Sequence, residues 1–158
     1  MILNRQRQVR ISIEKLEKFS AKVRKLLKIP ADAVAICLVS SADIAKWNRA
    51  YRGKNKPTDV LSFTTDEPNV KHRIGKLLRK RTAAKSSEGA AMPYWGDVAI
   101  APAIARQNAR RFGREFNDEM CILILHGILH LMGYDHETDN GQMERREMRL
   151  RRQLGLAP

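Results

Sequence analysis

Cysteine is nearly absent: of 158 residues only Cys37 and Cys121 carry a thiol, and both fall inside apolar runs. That argues against a disulfide framework and for two small buried hydrophobes. Missing too is any uninterrupted apolar stretch of the roughly 18 residues that a membrane-spanning helix needs. The N-terminus is basic and interrupted by charge every few positions, unlike a secretory leader. These absences lead to the expectation of a cytoplasmic protein. No internal repeat and no linker of domain-separating length occurs, so residues 1–158, with 43% hydrophobic content, are expected to form a single domain around one core. Acid is scarce: 17 Asp and Glu face 30 Lys and Arg, a formal charge of +13. Solubility alone asks for a net charge of only roughly 2 to 8. The surplus therefore predicts a polyanionic partner, nucleic acid before membrane.

Histidine is rare as well, yet three of the four lie within one stretch, His126-Gly-Ile-Leu-His130-Leu-Met-Gly-Tyr-Asp-His136. The preceding run Met120 to Leu125 is apolar and free of Gly and Pro, which predicts one helix continuing through His126 and His130. Four residues apart, their imidazoles share a face one turn apart. Gly133 can take the left-handed conformation that ends a helix and bends the chain back, so that His136 returns toward the other two. Three converging neutral imidazoles with a fourth position open are the arrangement of a catalytic zinc site rather than a closed structural one. One zinc per chain is expected, since Cys121 lies about 140° round the helix from His126 and cannot close the site. The alternative is a buried helix that carries histidines by chance.

One more absence bears on the chemistry. Zinc peptidases of the HExxH type place a glutamate directly after the first histidine as general base, and here that place is taken by Gly127. This argues against a protease without excluding a hydrolase, because a metal can activate water itself. Glu119, about two turns earlier on the same helical face, is the nearest acid along that stripe, and its simpler role is to favour the helix dipole.

Read in order, Val9, Ile11 and Ile13 alternate with polar neighbours, which predicts a half-buried strand. From Glu14, apolar residues recur at helical spacing through Leu27 until Ile29-Pro30 stops the pattern. Ala33–Val39 reads as a strand covered on both faces. Ser41 is a candidate cap for a helix carrying Ile44, Trp47 and Tyr51, with Gly53 past its end and Arg52 at its exit. Val60–Thr64 and Asp97–Ala101 read as strands, and Pro102 suits the first position of the helix that Gly113 closes. Asn117 is a candidate cap for the histidine-bearing helix. A last helix runs from about Asp139 to Leu154, with Met143, Leu150 and Leu154 inward and its arginines outward. Between about 66 and 95 no pattern holds, and Lys71, Arg73, Lys76, Arg79, Lys80, Arg81 and Lys85 follow one another with no acid among them. This basic surface excursion, with a hint of a short amphipathic helix at Ile74, Leu77 and Leu78, is either a nucleic-acid-binding arm or a solvated loop. The fold class expected is α+β: a small mixed four-stranded sheet, about five helices packed mainly on one face, and a central helix carrying the metal ligands.

The stretch His126 to His136 closely resembles the signature of the bacterial YbeY-type endoribonucleases, also described as rRNA maturation factors. So does Tyr51-Arg-Gly-Lys-Asn-Lys-Pro-Thr-Asp-Val-Leu-Ser-Phe63, with Gly96-Asp-Val-Ala-Ile100 as a weaker third match. The resemblance implies a metal-dependent endoribonuclease specific for single-stranded RNA, acting in 16S rRNA 3′-end maturation and ribosome quality control. It implies zinc on His126, His130 and His136, and a catalytic role for Arg52, which the chain by itself would offer only as a surface residue at a helix exit. The partners implied are single-stranded RNA, an rRNA precursor and the ribosome or its small subunit, with neither a membrane nor a small-molecule cofactor. Two rivals stand beside this reading: a metallopeptidase-like hydrolase, and a non-enzymatic ribosome-binding factor whose metal is structural.

Overall fold

The computed structural model describes residues 1–65 and 94–156. Four strands form one mixed sheet: β1 (Ile2–Asn4), β2 (Val34–Leu38), β3 (Val60–Thr64) and β4 (Gly96–Ile100), in spatial order β1-β2-β4-β3. β1, β2 and β4 run parallel, while β3 pairs antiparallel with β4, Val60 opposite Ile100 and Thr64 opposite Gly96. Every residue of β2 and β4 is buried, as the unbroken apolar run of β2 requires, and in β4 this includes Asp97. β3, at the sheet edge, alternates: Leu61 and Phe63 are buried and Val60, Ser62 and Thr64 partly exposed.

Five helices accompany the sheet among the described residues: α1 (Ile13–Leu27), α2 (Ser41–Arg52), α3 (Pro102–Phe112), α4 (Phe116–Leu131) and α5 (Gln142–Leu154). The α+β class and the mixed four-stranded sheet are as expected. Residues of α1, α4 and α5 share one core with Ile36, Leu38, Val98 and Ile100. α2 covers the opposite face, where Ile44 packs with Ala35, Cys37 and Phe63. Cys37 and Cys121 are buried free thiols, and burial pushes their pKa values up to about 11 and about 12, which leaves them inert.

Helix α4 is the central element. Met120, Ile124, Leu125, Ile128 and Leu129 are all fully buried, each contributing about 1.5–3 kcal/mol by leaving water. A helix so apolar all round has no surface face to offer. It lies against β4 at van der Waals depth: a Cβ on Gly127 would stand 2.4 Å from a methyl of Val98. Gly96, on the strand, is hemmed in mainly by β3 and secondarily by α4: a Cβ there would stand 2.0 Å from the Phe63 carbonyl oxygen and 2.9 Å from Leu131, at a φ of +151°.

Several local expectations need correction. No strand covers Val9 to Ile13; the first strand is Ile2–Asn4, too short to show an alternation of its own. Gln6 closes residues 6–9 into a compact loop, its side chain bonding both the N–H and the carbonyl of Val9, and the apparent period came from loop residues reaching the core. Ser40 rather than Ser41 caps α2, accepting from the Asp43 N–H. Asn117 lies inside the first turn of α4, and Glu115 holds the cap position without a side-chain bond. Asp139 does not begin α5 but caps it from upstream, its carboxylate accepting from the N–H groups of Gly141 and Met143 at 2.7 and 2.8 Å. The basic run Lys71 to Lys85 and its hinted helix lie outside the described residues. Among those described, no helix is long and apolar enough to cross a membrane.

The close contact predicts that Gly96→Ala costs about 2–4 kcal/mol, from overlap plus a backbone angle that L residues resist. Chemical denaturation checks this; a variant with an unchanged midpoint would mean that β3 and Leu131 have room to move away from β4.

Candidate metal centre and cleft

His126 and His130 project from the last two turns of α4, as their spacing requires. The helix ends at Leu131, and Gly133 takes a φ of +93°, with its N–H on the His130 carbonyl and the next N–H, of Tyr134, on that of Leu129. The chain then folds into a turn organised by Asp135, whose carboxylate accepts from the Glu137 N–H and the Thr138 hydroxyl at 3.0 Å each. Those bonds hold the Asp135 carboxyl below its ordinary value. His136 sits in this turn and returns to the helix: ring centroids are 4.7 Å apart for His126 and His130, 5.3 Å for His126 and His136, and 5.1 Å for His130 and His136.

The arrangement fits a metal ion. The ligand-capable nitrogens of the three rings all lie within 4.8 Å of one another. Nε2 of His126 and Nε2 of His130 are 3.1 Å apart, close to the about 3.4 Å between two nitrogens bound to one tetrahedral zinc ion. The far nitrogen of His126, Nδ1, meets the Glu147 carboxylate at 2.8 Å. Burial lowers the proton affinity of His130, and the neighbouring His126 and His136 lower it further, against a hydrogen bond to the Tyr134 backbone. A ring kept neutral is a ring able to ligate.

These rings open into a cleft of about 620 Å³ bordered on its other side by β3 and the end of α2. Arg52, the last residue of α2, reaches it. Past Arg52 the chain turns at Gly53, and the buried Asn48 fixes that turn by donating to the Lys56 carbonyl at 2.8 Å. Tyr51 is held edge-on against Phe63 of β3, centroids 5.2 Å apart. The Arg52 guanidinium pairs with Glu137 at 2.5 Å, both side chains well exposed. The structure thus brings Arg52 to the same cleft as His126, His130 and His136, although the residues are some eighty positions apart.

Glu119 is not part of the site. It is buried at the other end of α4 and paired with Arg114 at 2.9 Å. Gly127 has the reason already given for lacking a side chain: the glutamate of an HExxH motif would collide with Val98. Glu147 was missed by the sequence reading, which turned the arginines of α5 outward and gave its glutamates no role. Its signal was present, since Glu147 falls one turn from both Met143 and Leu150 on the inward stripe. Arg151 follows it inward and pairs with it.

An α+β protein with three imidazoles able to hold a metal ion, beside an arginine-bearing cleft, is the class so defined. A family model described as Endoribonuclease YbeY matches residues 1–155. Curated proteins named Endoribonuclease YbeY are similar over nearly the whole chain: that of Sulfurovum sp. is 30% identical over 98% of this chain and 90% of its own, and that of Koribacter versatilis 35% identical over 99% and 86%. The solution structure of TM1509 from Thermotoga maritima matches with a TM-score of 0.59 and 28% identity, over 98% of this chain and 89% of that one. The chain belongs to the endoribonuclease YbeY family, and that membership supports a role in cleaving RNA.

Because burial and the neighbouring histidines hold the folded pKa of His130 below the ordinary imidazole value of 6.5, the unfolded chain binds the extra proton first as pH falls. The associated stability is present above 6.5 and lost as pH drops through the folded value. The metal-free protein should therefore melt at lower temperature at about pH 5 than at neutral pH, and His130→Gln should flatten that drop. Parallel profiles for the two proteins would contradict the assignment.

Proposed function

We propose that this protein is a zinc-dependent endoribonuclease specific for single-stranded RNA, with one zinc ion per chain held by His126, His130 and His136. The proposed setting is the cytoplasm, in 16S rRNA 3′-end maturation and ribosome quality control, on an rRNA precursor in contact with the small subunit. The observation that carries the reading is the convergence of three imidazoles and one arginine on a single open cleft. A bound zinc ion supplies Lewis-acid polarisation of a phosphate oxygen there.

The residues of the chain do the rest. The surplus of positive charge draws a polyanion toward the surface at long range. In the cleft, a phosphate exchanges with the Glu137 carboxylate for Arg52; an exposed pair of this kind is worth at most about 1 kcal/mol, so the exchange is easy. The guanidinium fork then grips two phosphate oxygens and neutralises charge that grows as the phosphodiester breaks. A cleft open at one side suits a flexible single strand, whose phosphates can bend in to reach both Arg52 and the imidazoles.

The peptidase alternative loses its base at Gly127, and a basic protein is a poor match to most polypeptides. Incubation with single-stranded RNA and with casein separates the two. Arg52→Ala should lower RNA cleavage by about 10²-fold or more with zinc content intact, and Arg52→Lys should restore only part of the rate because it lacks the fork. Cleavage by the alanine variant at the wild-type rate would remove Arg52 from the mechanism; casein hydrolysis without RNA cleavage would overturn the whole reading.

A further inference from the structure

Glu147 is 6% exposed, yet it carries a carboxylate into the core side of the histidine cluster. Met143 and Leu150, each 1% exposed, lie one turn to either side of it on α5 and lock its position by packing. Of its two oxygens, Oε2 stands 2.8 Å from His126 Nδ1 and Oε1 accepts from the Arg151 guanidinium. We propose that Glu147 is a positioning residue: it fixes His126 as the Nδ1–H tautomer and so aims the Nε2 lone pair at the point where His130 and His136 converge. This rests on reading the three histidines as a metal site.

The geometry leaves His126 little choice. An anionic oxygen at hydrogen-bond distance from Nδ1 needs a proton between them, since the opposite tautomer would set a nitrogen lone pair against a carboxylate in a desolvated place. In the neutral ring a proton on Nδ1 leaves Nε2 unprotonated, and Nε2 is the atom that lies 3.1 Å from His130 Nε2. The Arg151 guanidinium, paired with the other oxygen of Glu147, supplies the positive charge that a buried carboxylate needs beside it. Arg151 has a second consequence. By pairing with Oε1 it shares the carboxylate with His126, which keeps the carboxylate in place while its other oxygen orients the ring. Removing the carboxylate frees the ring to rotate and to exchange tautomers, and a ligand set with one wandering member binds an ion less well.

The test uses the full chain stripped of metal, as wild type, Glu147→Gln and Glu147→Leu. Nitrogen chemical shifts of the labelled imidazoles report the His126 tautomer, and competition with a chromophoric chelator reports zinc affinity. Wild type should show His126 protonated at Nδ1. Glu147→Leu, which keeps an apolar volume between Met143 and Leu150, should lose that preference and bind zinc about 10–100-fold more weakly. Glu147→Gln still offers a carbonyl oxygen to Nδ1–H and should retain the tautomer with a smaller loss. An Nε2–H tautomer in wild type, or zinc affinity unchanged in both variants, would overturn the proposal. Should the leucine variant fail to fold, the wild-type tautomer and the glutamine variant still decide it. A wild-type protein that bound no zinc would instead sink the metal reading, while the tautomer measurement would still judge Glu147.

Discussion

The flush contact between α4 and β4 at Gly127 is the constraint on which the site depends. Gly127 lets a largely apolar helix sit deeper on the sheet than a side chain there would allow, and Gly96 on β4 leaves room for the Phe63 carbonyl of β3 and for Leu131 of the helix. Ser62 of β3 adds a tie by donating to the Gly127 carbonyl at 3.1 Å. With residue 127 turned into β4, residues 126 and 130 point sideways, over the edge strand. That is why an element without a surface face of its own still delivers two imidazoles to a cleft. Rigid placement of this kind is what ligand and catalytic groups require, because small misplacements are costly.

Around that helix the electrostatics divide. The chain as a whole is strongly basic, but its histidine cluster is bordered by acids: Glu147 behind His126, Asp135 in the turn, Glu137 on Arg52. Imidazoles bordered by carboxylates suit a cation, and the basic charge of the chain as a whole suits a polyanion. A cation in the cleft and RNA across it would satisfy both halves.

Much of this was legible in the chain. The His126 to His136 spacing is a local property, and helix geometry together with the positive φ of Gly133 carries it directly into three dimensions. The strands β2, β3 and β4 announced themselves by continuous or alternating apolar runs. What stayed hidden depended on contacts distant in sequence. Nothing near Ile2 marks it as a strand until β2 lies beside it, and the loop built by Gln6 imitated a strand from Val9 to Ile13. Glu147 was concealed by its company, one of two acids among arginines, although its register with Met143 and Leu150 gave it away. Arg52 stood out only through a resemblance, because no local pattern says that the end of α2 faces the end of α4.

The central claim is that the three histidines form the centre at which RNA is cut. It is tested most directly by following cleavage of single-stranded RNA as zinc is added back, in known equivalents, to metal-free wild-type and His130→Ala protein. The account predicts no cleavage without metal, recovery that saturates at one zinc per wild-type chain, and no recovery in the variant at the same zinc concentrations. Full cleavage by the metal-free protein, or equal recovery in His130→Ala, would contradict it.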